Sequence, residues 1–175
     1  KKAMKGQMDL MTPAMAVAQE IMGIPDFSIP PVDPFEAHLE YVEKFKKAVL
    51  LVAGAAVQKL MQSLAKEQEV LMRIADMMIW TYTAESLVLR VQKLSGQRGE
   101  DAVAHGRAMM KVYCYEVAER MHSAGKEALL AFAEGDELKG MLMGLKRFTK
   151  TEPFNTTAAR QAIAQKLIEE NEYCW

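Results

Sequence analysis

The chain has 175 residues, of which 50% are hydrophobic and 26% are charged, a composition typical of a globular domain with a sizeable core. Its 22 Lys and Arg residues almost balance its 23 Asp and Glu residues, which argues against a nucleic-acid binder with a basic face. The longest stretch without a charged residue covers positions 48–58. That is shorter than the roughly 18 apolar residues that a membrane span needs.

The two cysteines, Cys114 and Cys174, are predicted to be free thiols in a reducing, cytoplasmic compartment, because no export-type segment opens the chain. The first residue is Lys1 rather than methionine. We therefore expect the chain to be part of a longer polypeptide.

Proline and glycine mark the boundaries of the predicted elements. Thr12-Pro13 predicts the start of a short helix that ends near Gly23, and a proline-rich linker follows it. Asp33-Pro34 repeats this start signal and opens the longest predicted helix. Apolar residues recur along that helix at steps of three or four, which indicates one buried stripe: Phe35, Leu39, Val42, Phe45, Val49, Val52, Ala56, Leu60 and Leu64.

The segment Ala53-Gly54-Ala55-Ala56 within this helix carries almost no side-chain bulk. A glycine inside a helix costs about 1 kcal/mol of helix propensity. One explanation is a second helix that crosses close to the backbone here. A tolerated glycine without a packing role explains the pattern equally well.

Two more long helices are predicted, from Lys66 to Leu94 with Gly96 as terminator, and from Glu100 to Phe132, where Gly125 could split the helix. Their expected buried residues are Leu71, Ile74, Met78 and Val88 in the first, and Val103, Met110, Tyr113, Val117 and Met121 in the second.

Two shorter helices complete the prediction. Gly135-Asp136 opens one, whose apolar face comprises Leu138, Met141, Leu142, Leu145 and Phe148. After Pro153, either Asn155 or Thr156 caps a last helix through Ala162, Ile163 and Leu167 to about Asn171. No window alternates as a strand does, so we predict an all-α up-down helical bundle. Its parts are a short helix and linker (1–34), the bundle (35–150) and a capping helix (151–175).

The sequence offers few residues for catalysis. It contains no phosphate-binding loop, no dinucleotide-binding glycine turn and no nucleophile elbow. Glu119 and His122 have the Glu-x-x-His spacing of a di-iron bundle, but there is no second such pair, so we interpret them as surface polar residues. His38 and His105 are interpreted as ordinary solvent-exposed histidines.

The 14 methionines are abundant for this length. Methionine-rich faces bind adaptable apolar partners. However, most of these residues, for example Met72, Met77, Met78 and Met121, fall on the predicted inward stripes. We therefore predict that they fill the core.

The predicted helix from Asp136 to Thr149 allows two interpretations. Its apolar face lies roughly opposite four basic residues, Lys139, Lys146, Arg147 and Lys150, as in helices that lie at a membrane surface. Packing of the apolar face onto the bundle gives the same pattern. We expect such packing, and we keep peripheral membrane contact through the basic residues as an alternative.

Two stretches carry a family resemblance. The second long helix contains Ile74-Ala75-Asp76-Met77 and then Tyr82-Thr83-Ala84-Glu85-Ser86. The third contains Met109-Met110-Lys111-Val112 and ends in small residues at Ser123-Ala124-Gly125. Together they resemble the second and third helices of the carboxy-terminal bundle of acyl-CoA dehydrogenases, over roughly residues 35–132. The chain as a whole is similar to the helical domain that follows the catalytic unit in the very-long-chain branch of this family. The resemblance is to such a domain from a bacterial member.

This resemblance implies a parent enzyme that uses FAD to oxidise an acyl-CoA to the trans-2-enoyl-CoA. The family's catalytic glutamate commonly lies in a Tyr-Glu-Gly-Thr motif, which the chain lacks, since Lys126-Glu127-Ala128-Leu129 follows Gly125. The resemblance therefore implies an accessory domain that is not catalytic alone. We assign no catalytic, cofactor-binding or metal-ligating residue in this chain, and we expect the FAD to be held elsewhere in the parent.

The expected partners are the catalytic domain of the same polypeptide and a second copy in a homodimer. The protein is expected in the cytoplasm, with peripheral contact at the inner face of the membrane as an alternative. The Gly54 segment and the Asp136 helix are the predicted contact surfaces. The alternative function is a free-standing helical adaptor that binds a protein through its methionine-rich or basic face.

Overall fold

The computed structural model describes residues 9–23, 31 and 33–172, and every regular element in these ranges is helical. The α-helices are α1 (Met11–Met22), α2 (Pro34–Leu60), α3 (Gln68–Arg98), α4 (Ala104–Leu130), α5 (Gly135–Phe148) and α6 (Thr156–Glu170). Short 3-10 helices at Met61–Lys66 and Asp101–Val103 precede α3 and α4. Short connections between long helices make them antiparallel neighbours, so the predicted all-α bundle is confirmed. Cys174 lies outside the described residues.

Helix α2 lies at the centre of the bundle and contacts α1, α3, α4 and α5. The predicted stripe faces the core, with Val42, Phe45 and Val52 fully buried and Leu39, Val49 and Leu60 half-buried. Fully burying such a side chain stabilises the fold by about 1.5–3 kcal/mol, so α2 contributes strongly to the core.

By length and composition alone, the segment Pro34–Lys66 also meets the criteria for one membrane-spanning helix, with a mean hydropathy of 1.5 over 18 residues. A helix surrounded by four others is expected to be apolar over most of its circumference. Within the bundle 39% of that window is buried, so the contacts of α2 explain part of this hydropathy.

The first two helices begin with aspartate caps. The side chain of Asp33 accepts a hydrogen bond from the Phe35 backbone N–H at 3.0 Å, as the Asp33-Pro34 signal predicts. Helix α1 begins at Met11, and Asp9 rather than Thr12 provides the cap by accepting the Thr12 N–H at 3.0 Å. The prediction of Thr12 as the start was wrong because Pro13 occupies the third helical position instead of the first.

The small-residue segment of α2 is a site of close helix approach. A Cβ atom built on Gly54 would overlap with the Cβ of Ala14 in α1. A Cβ on Gly144 of α5 would likewise overlap with the side chain of Ile21. Glycine at both positions therefore lets α1 lie directly on α2 and α5, and the close-approach explanation for Gly54 is confirmed.

Helix α3 differs from its prediction at both ends. It runs to Arg98 and terminates at Gly99, whose φ of +85° is the conformation that glycine adopts readily, so Gly96 is not the terminator. At the other end, α2 stops at Leu60, and Met61 with φ of +48° begins the 3-10 segment that leads to α3. Leu64 in that segment is still buried, as predicted.

The prediction of which side of α3 faces the core was also partly wrong. Ile74 and Val88 face the core as expected, but Leu71 and Met78 are exposed. The residues that α3 buries lie on one continuous side: Val70, Ile74, Met77, Thr81, Ala84, Val88 and Val91. The error arose because α3 carries apolar residues on two sides, and periodicity alone does not say which side is inside.

Helix α4 is continuous through Gly125, so the predicted split does not occur. A Cβ on Gly125 would lie 2.8 Å from Leu145 Cδ1, which shows that this glycine makes room for α5. Helix α5 buries Met141, Leu145 and Phe148 as predicted.

Helix α6 contacts α4 and buries no residue. Its cap is Asn155, whose side chain accepts the Ala158 N–H at 3.0 Å. Arg160 binds Glu116 of α4 at 2.6 Å and is partly exposed. The predicted domain limits at 34 and 150 stay a prediction.

The contact between α1 and α2 can be tested with a pair of glycine substitutions. Gly54→Ala is expected to destabilise the protein by about 1–3 kcal/mol, because the new methyl group meets the rigid Cβ of Ala14. Gly96→Ala, with no atom within 4 Å of its new Cβ, is expected to be neutral or stabilising by up to about 1 kcal/mol. Urea unfolding of both variants measures this, and equal effects would contradict the close approach.

The orientation of α3 can be tested with adjacent methionines. Met77→Ala is expected to cost about 2–5 kcal/mol of unfolding free energy, since Met77 is fully buried. Met78→Ala is expected to change it by no more than about 0.5 kcal/mol, because Met78 is 57% exposed. Denaturant unfolding distinguishes the two, and the reverse order would place the other side of α3 in the core.

Candidate functional site

His38 is buried on α2, contrary to the prediction that it is solvent-exposed. Its Nδ1 donates a hydrogen bond to the Pro34 carbonyl oxygen at 2.6 Å, and Tyr41 packs edge-on at 5.7 Å between ring centroids. Burial lowers the pKa of His38, and the charge of Lys111 acts in the same direction, while the Pro34 hydrogen bond opposes both. His38 is thus a neutral, hydrogen-bonded side chain at the edge of the core.

Glu119 and His122 do not form a shared site. Glu119 is exposed, whereas His122 is half-buried and has its Nδ1 at 3.1 Å from Thr149 Oγ1 at the end of α5. Among the described residues, no group of three His, Cys, Asp or Glu side chains could hold a metal ion. His122 therefore links α4 to the end of α5. The third histidine considered, His105, lies half-buried near the start of α4.

Cys114 is a free thiol buried in the core, and this burial raises its pKa to about 12. A thiol with such a pKa stays protonated near neutral pH, so Cys114 has the properties of a small core residue and not of a nucleophile.

The methionines divide between the core and the surface. Met77 and Met121 are fully buried, and the Oγ1 of Thr81 lies 3.6 Å from the sulfur of Met121. Met72 and Met78 are exposed, so their assignment to the core was wrong.

The clearest cavity lies between α1, α2 and α5 and has a volume of about 320 Å³. Its walls are mostly apolar and combine small residues with larger ones: Ala14, Ala18, Gly54, Met15, Met22 and Leu51. Asp136 and Glu137 also line it, and Glu137 binds Lys59 of α2 at 2.5 Å. Lys139 likewise binds Asp136 at 2.8 Å, so both carboxylates are paired with lysines, and the other residues that line the cavity are uncharged.

A second cavity of about 460 Å³ is lined by polar residues from the start of α2 and from the segment after α5. It contains Lys44 and Lys150 together with Glu40 and Glu152, and Lys44 binds Glu40 at 2.6 Å. Two bases and two acids thus line this cavity, so its lining carries no net positive charge for an anionic group such as a pyrophosphate.

The four basic residues named for peripheral membrane contact differ in their partners. Lys139 binds Asp136 at 2.8 Å, and Arg147 donates to the Glu20 carbonyl oxygen at 3.3 Å, while Lys146 and Lys150 are exposed. The apolar side of α5 packs against α2 and α4, so it is not available to lipid in this structure. The Gly54 segment is likewise approached closely by α1, next to the cavity that Met15 and Met22 line.

An extended exposed apolar surface lies on α3. Its exposed side, which we call the α3 outer face, consists of Leu71, Met72, Ala75, Met78, Ile79, Tyr82, Ser86 and Leu89. These positions share one side of the helix at 100° per residue and extend over about 27 Å. None of them carries a charge.

A shallow groove of about 320 Å³ lies where α3 meets α2, and Val49, Leu50, Met78 and Tyr82 line it. Lys46 closes one edge by binding Glu85 at 2.8 Å. The groove and the α3 outer face were missed because Leu71 and Met78 were assigned to the core. The signal in the sequence that indicates this surface is the lack of charge at the eight positions of the α3 outer face.

Comparisons with known proteins agree with the family resemblance. Residues 44–147, more than half of the chain, match the model of the acyl-CoA dehydrogenase C-terminal domain. A probable acyl-CoA dehydrogenase of Bacillus subtilis (strain 168) is 31% identical over 177 residues, which cover 99% of this chain and 29% of that protein.

The structure is also similar to a crystal structure of acyl-CoA dehydrogenase complexed with FAD from Bacillus anthracis, with a TM-score of 0.91 and 34% sequence identity. That match covers 99% of this chain and 30% of the other. The chain therefore spans less than a third of the length of these relatives. From the family match and the helical fold together, we conclude that the chain belongs to the acyl-CoA dehydrogenase family and represents its C-terminal helical domain.

Proposed function

We propose that the chain is an accessory helical domain of a longer, FAD-dependent acyl-CoA dehydrogenase, and that it supports the assembly of that enzyme without being catalytic alone. The parent would oxidise an acyl-CoA to the trans-2-enoyl-CoA, and a homodimer remains the expected assembly. The main support is the similarity of 99% of this chain to only 30% of a chain whose crystal structure contains FAD.

The chemistry of the described residues supports an accessory role. His38 is engaged by a backbone carbonyl, His122 by Thr149, and Cys114 is a buried thiol with a raised pKa. Removal of an α-proton from a thioester requires a base within hydrogen-bond reach of the substrate. The carboxylates that line the apolar cavity, Asp136 and Glu137, are engaged in ion pairs with Lys139 and Lys59, so we place the base and the FAD on the rest of the polypeptide.

We expect the 175-residue chain, purified alone, to be colourless and to reduce no dye when an acyl-CoA is added. The complete polypeptide is expected to contain FAD and to reduce the dye. Flavin absorbance and acyl-CoA-dependent dye reduction, measured on both proteins at equal concentration, test this prediction.

Stoichiometric FAD on the 175-residue chain, with dye reduction, would contradict the accessory role. A complete polypeptide that lacks both FAD and dye reduction would contradict the proposed parent activity and would favour the adaptor alternative.

A further inference from the structure

We propose that the α3 outer face is the surface on which the remaining part of the same polypeptide packs. The inference rests on the proposed function, since it requires the chain to be one part of a longer enzyme. It also extends that proposal by naming the contact surface, which differs from both surfaces that the sequence suggested.

The composition of the α3 outer face is the first argument. A helix side that faces water usually carries charged residues, as the exposed positions of α4 do with Lys111, Glu119, Arg120, Lys126 and Glu127. In contrast, the eight positions of the α3 outer face are uncharged over about 27 Å, up to Lys93. Ile79 and Tyr82 are 59% and 72% exposed there. Contiguous apolar surface of this extent marks an interaction site.

The shape and the borders of this surface are typical of a protein interface. The groove beside Met78 and Tyr82 offers a place for an apolar side chain from the partner, and tyrosine is a residue that frequently contributes most to binding. The Lys46–Glu85 pair borders the face on one side, and Asp76 and Arg90 border it on the other. An apolar centre with a charged border is the usual organisation of a stable protein contact.

The charge of the border argues for a protein partner over a membrane. Two bases and two acids surround the face, so it offers no basic excess for anionic lipid headgroups. Uncharged, strongly apolar contacts are characteristic of permanent rather than transient complexes.

The partner is identified by the length of the relatives. In both relatives this chain corresponds to less than a third of the polypeptide, so more than two thirds lies outside the matched region. A partner on the same chain is always present at high effective concentration. This makes the rest of the polypeptide the occupant that fits a permanent apolar surface.

Oxidative footprinting of the complete polypeptide tests the proposal, because hydroxyl radicals modify methionine and tyrosine only where water reaches them. In the 175-residue chain, Met78 and Met143 are expected to oxidise at similar rates, since they are 57% and 68% exposed. In the complete polypeptide, we expect Met78 and Tyr82 to become about tenfold slower at every protein concentration, as in a water-excluding interface. Met143 on α5 is the internal control.

Substitutions in the complete polypeptide provide the second arm. Ile79→Glu places a charge in the contact and is expected to restore fast oxidation of Met78, whereas Met143→Glu, the matched change at an exposed apolar residue of α5, is expected to leave Met78 protected. FAD content and dye reduction of the same preparations report on the proposed function separately.

Three results would overturn the inference. Met78 could react as fast as Met143 in the complete polypeptide, which would mean that nothing covers the face. Protection that appears only at concentrations where copies associate would assign the face to a second copy. Protection that appears only after addition of anionic phospholipid vesicles would assign it to a membrane.

Discussion

The burial of α2 between four other helices is the constraint on which the rest of the structure depends. A helix can have so many neighbours only if some of them approach its backbone closely. Gly54 provides this on the side of α1, where a methyl group would meet Ala14. Gly144 and Gly125 provide the same freedom for Ile21 and Leu145, which pack against α5 and α4. The small residues thus fix how α1 and α5 lie on the bundle.

This packing covers apolar surfaces of α2 and α5 that would otherwise be available for docking. The apolar side of α5 is turned toward α2 and α4, and the Gly54 segment is covered by α1. Helix α3 keeps a long apolar side exposed, because its apolar residues occupy two sides and the bundle covers only one. The described polar groups are mostly engaged within the domain, for example His38 with Pro34 and Lys46 with Glu85. A domain organised in this way supports other parts of a protein through contact, which is why we favour an accessory role.

The sequence predicted the fold well because helix signals are local. Asp33-Pro34 and Asn155 cap their helices as expected, and the stripe from Phe35 to Leu64 faces the core. Gly54 allowed two explanations, since only the position of α1 decides between close approach and a tolerated glycine.

The surface could not be predicted to the same degree, because it depends on which side of each helix the neighbours cover. Leu71 and Met78 have the right spacing for a core position but are exposed, whereas Ile74 and Met77 of the same helix are buried. His38 was interpreted as a surface residue because charged and small residues such as Glu36, Ala37 and Glu40 lie near it in the chain, yet it is buried and hydrogen-bonded to the Pro34 carbonyl. The family resemblance, carried by residues of α3 and α4, was confirmed by the match over residues 44–147.

The most direct test of the central claim is an experimental structure of the complete polypeptide, with the exposure of Tyr82 as the decisive quantity. Tyr82 is 72% exposed in the isolated domain. The account predicts that its ring is buried against residues of the same polypeptide and that FAD is bound outside this domain. A Tyr82 side chain that faces water in that structure would contradict the account.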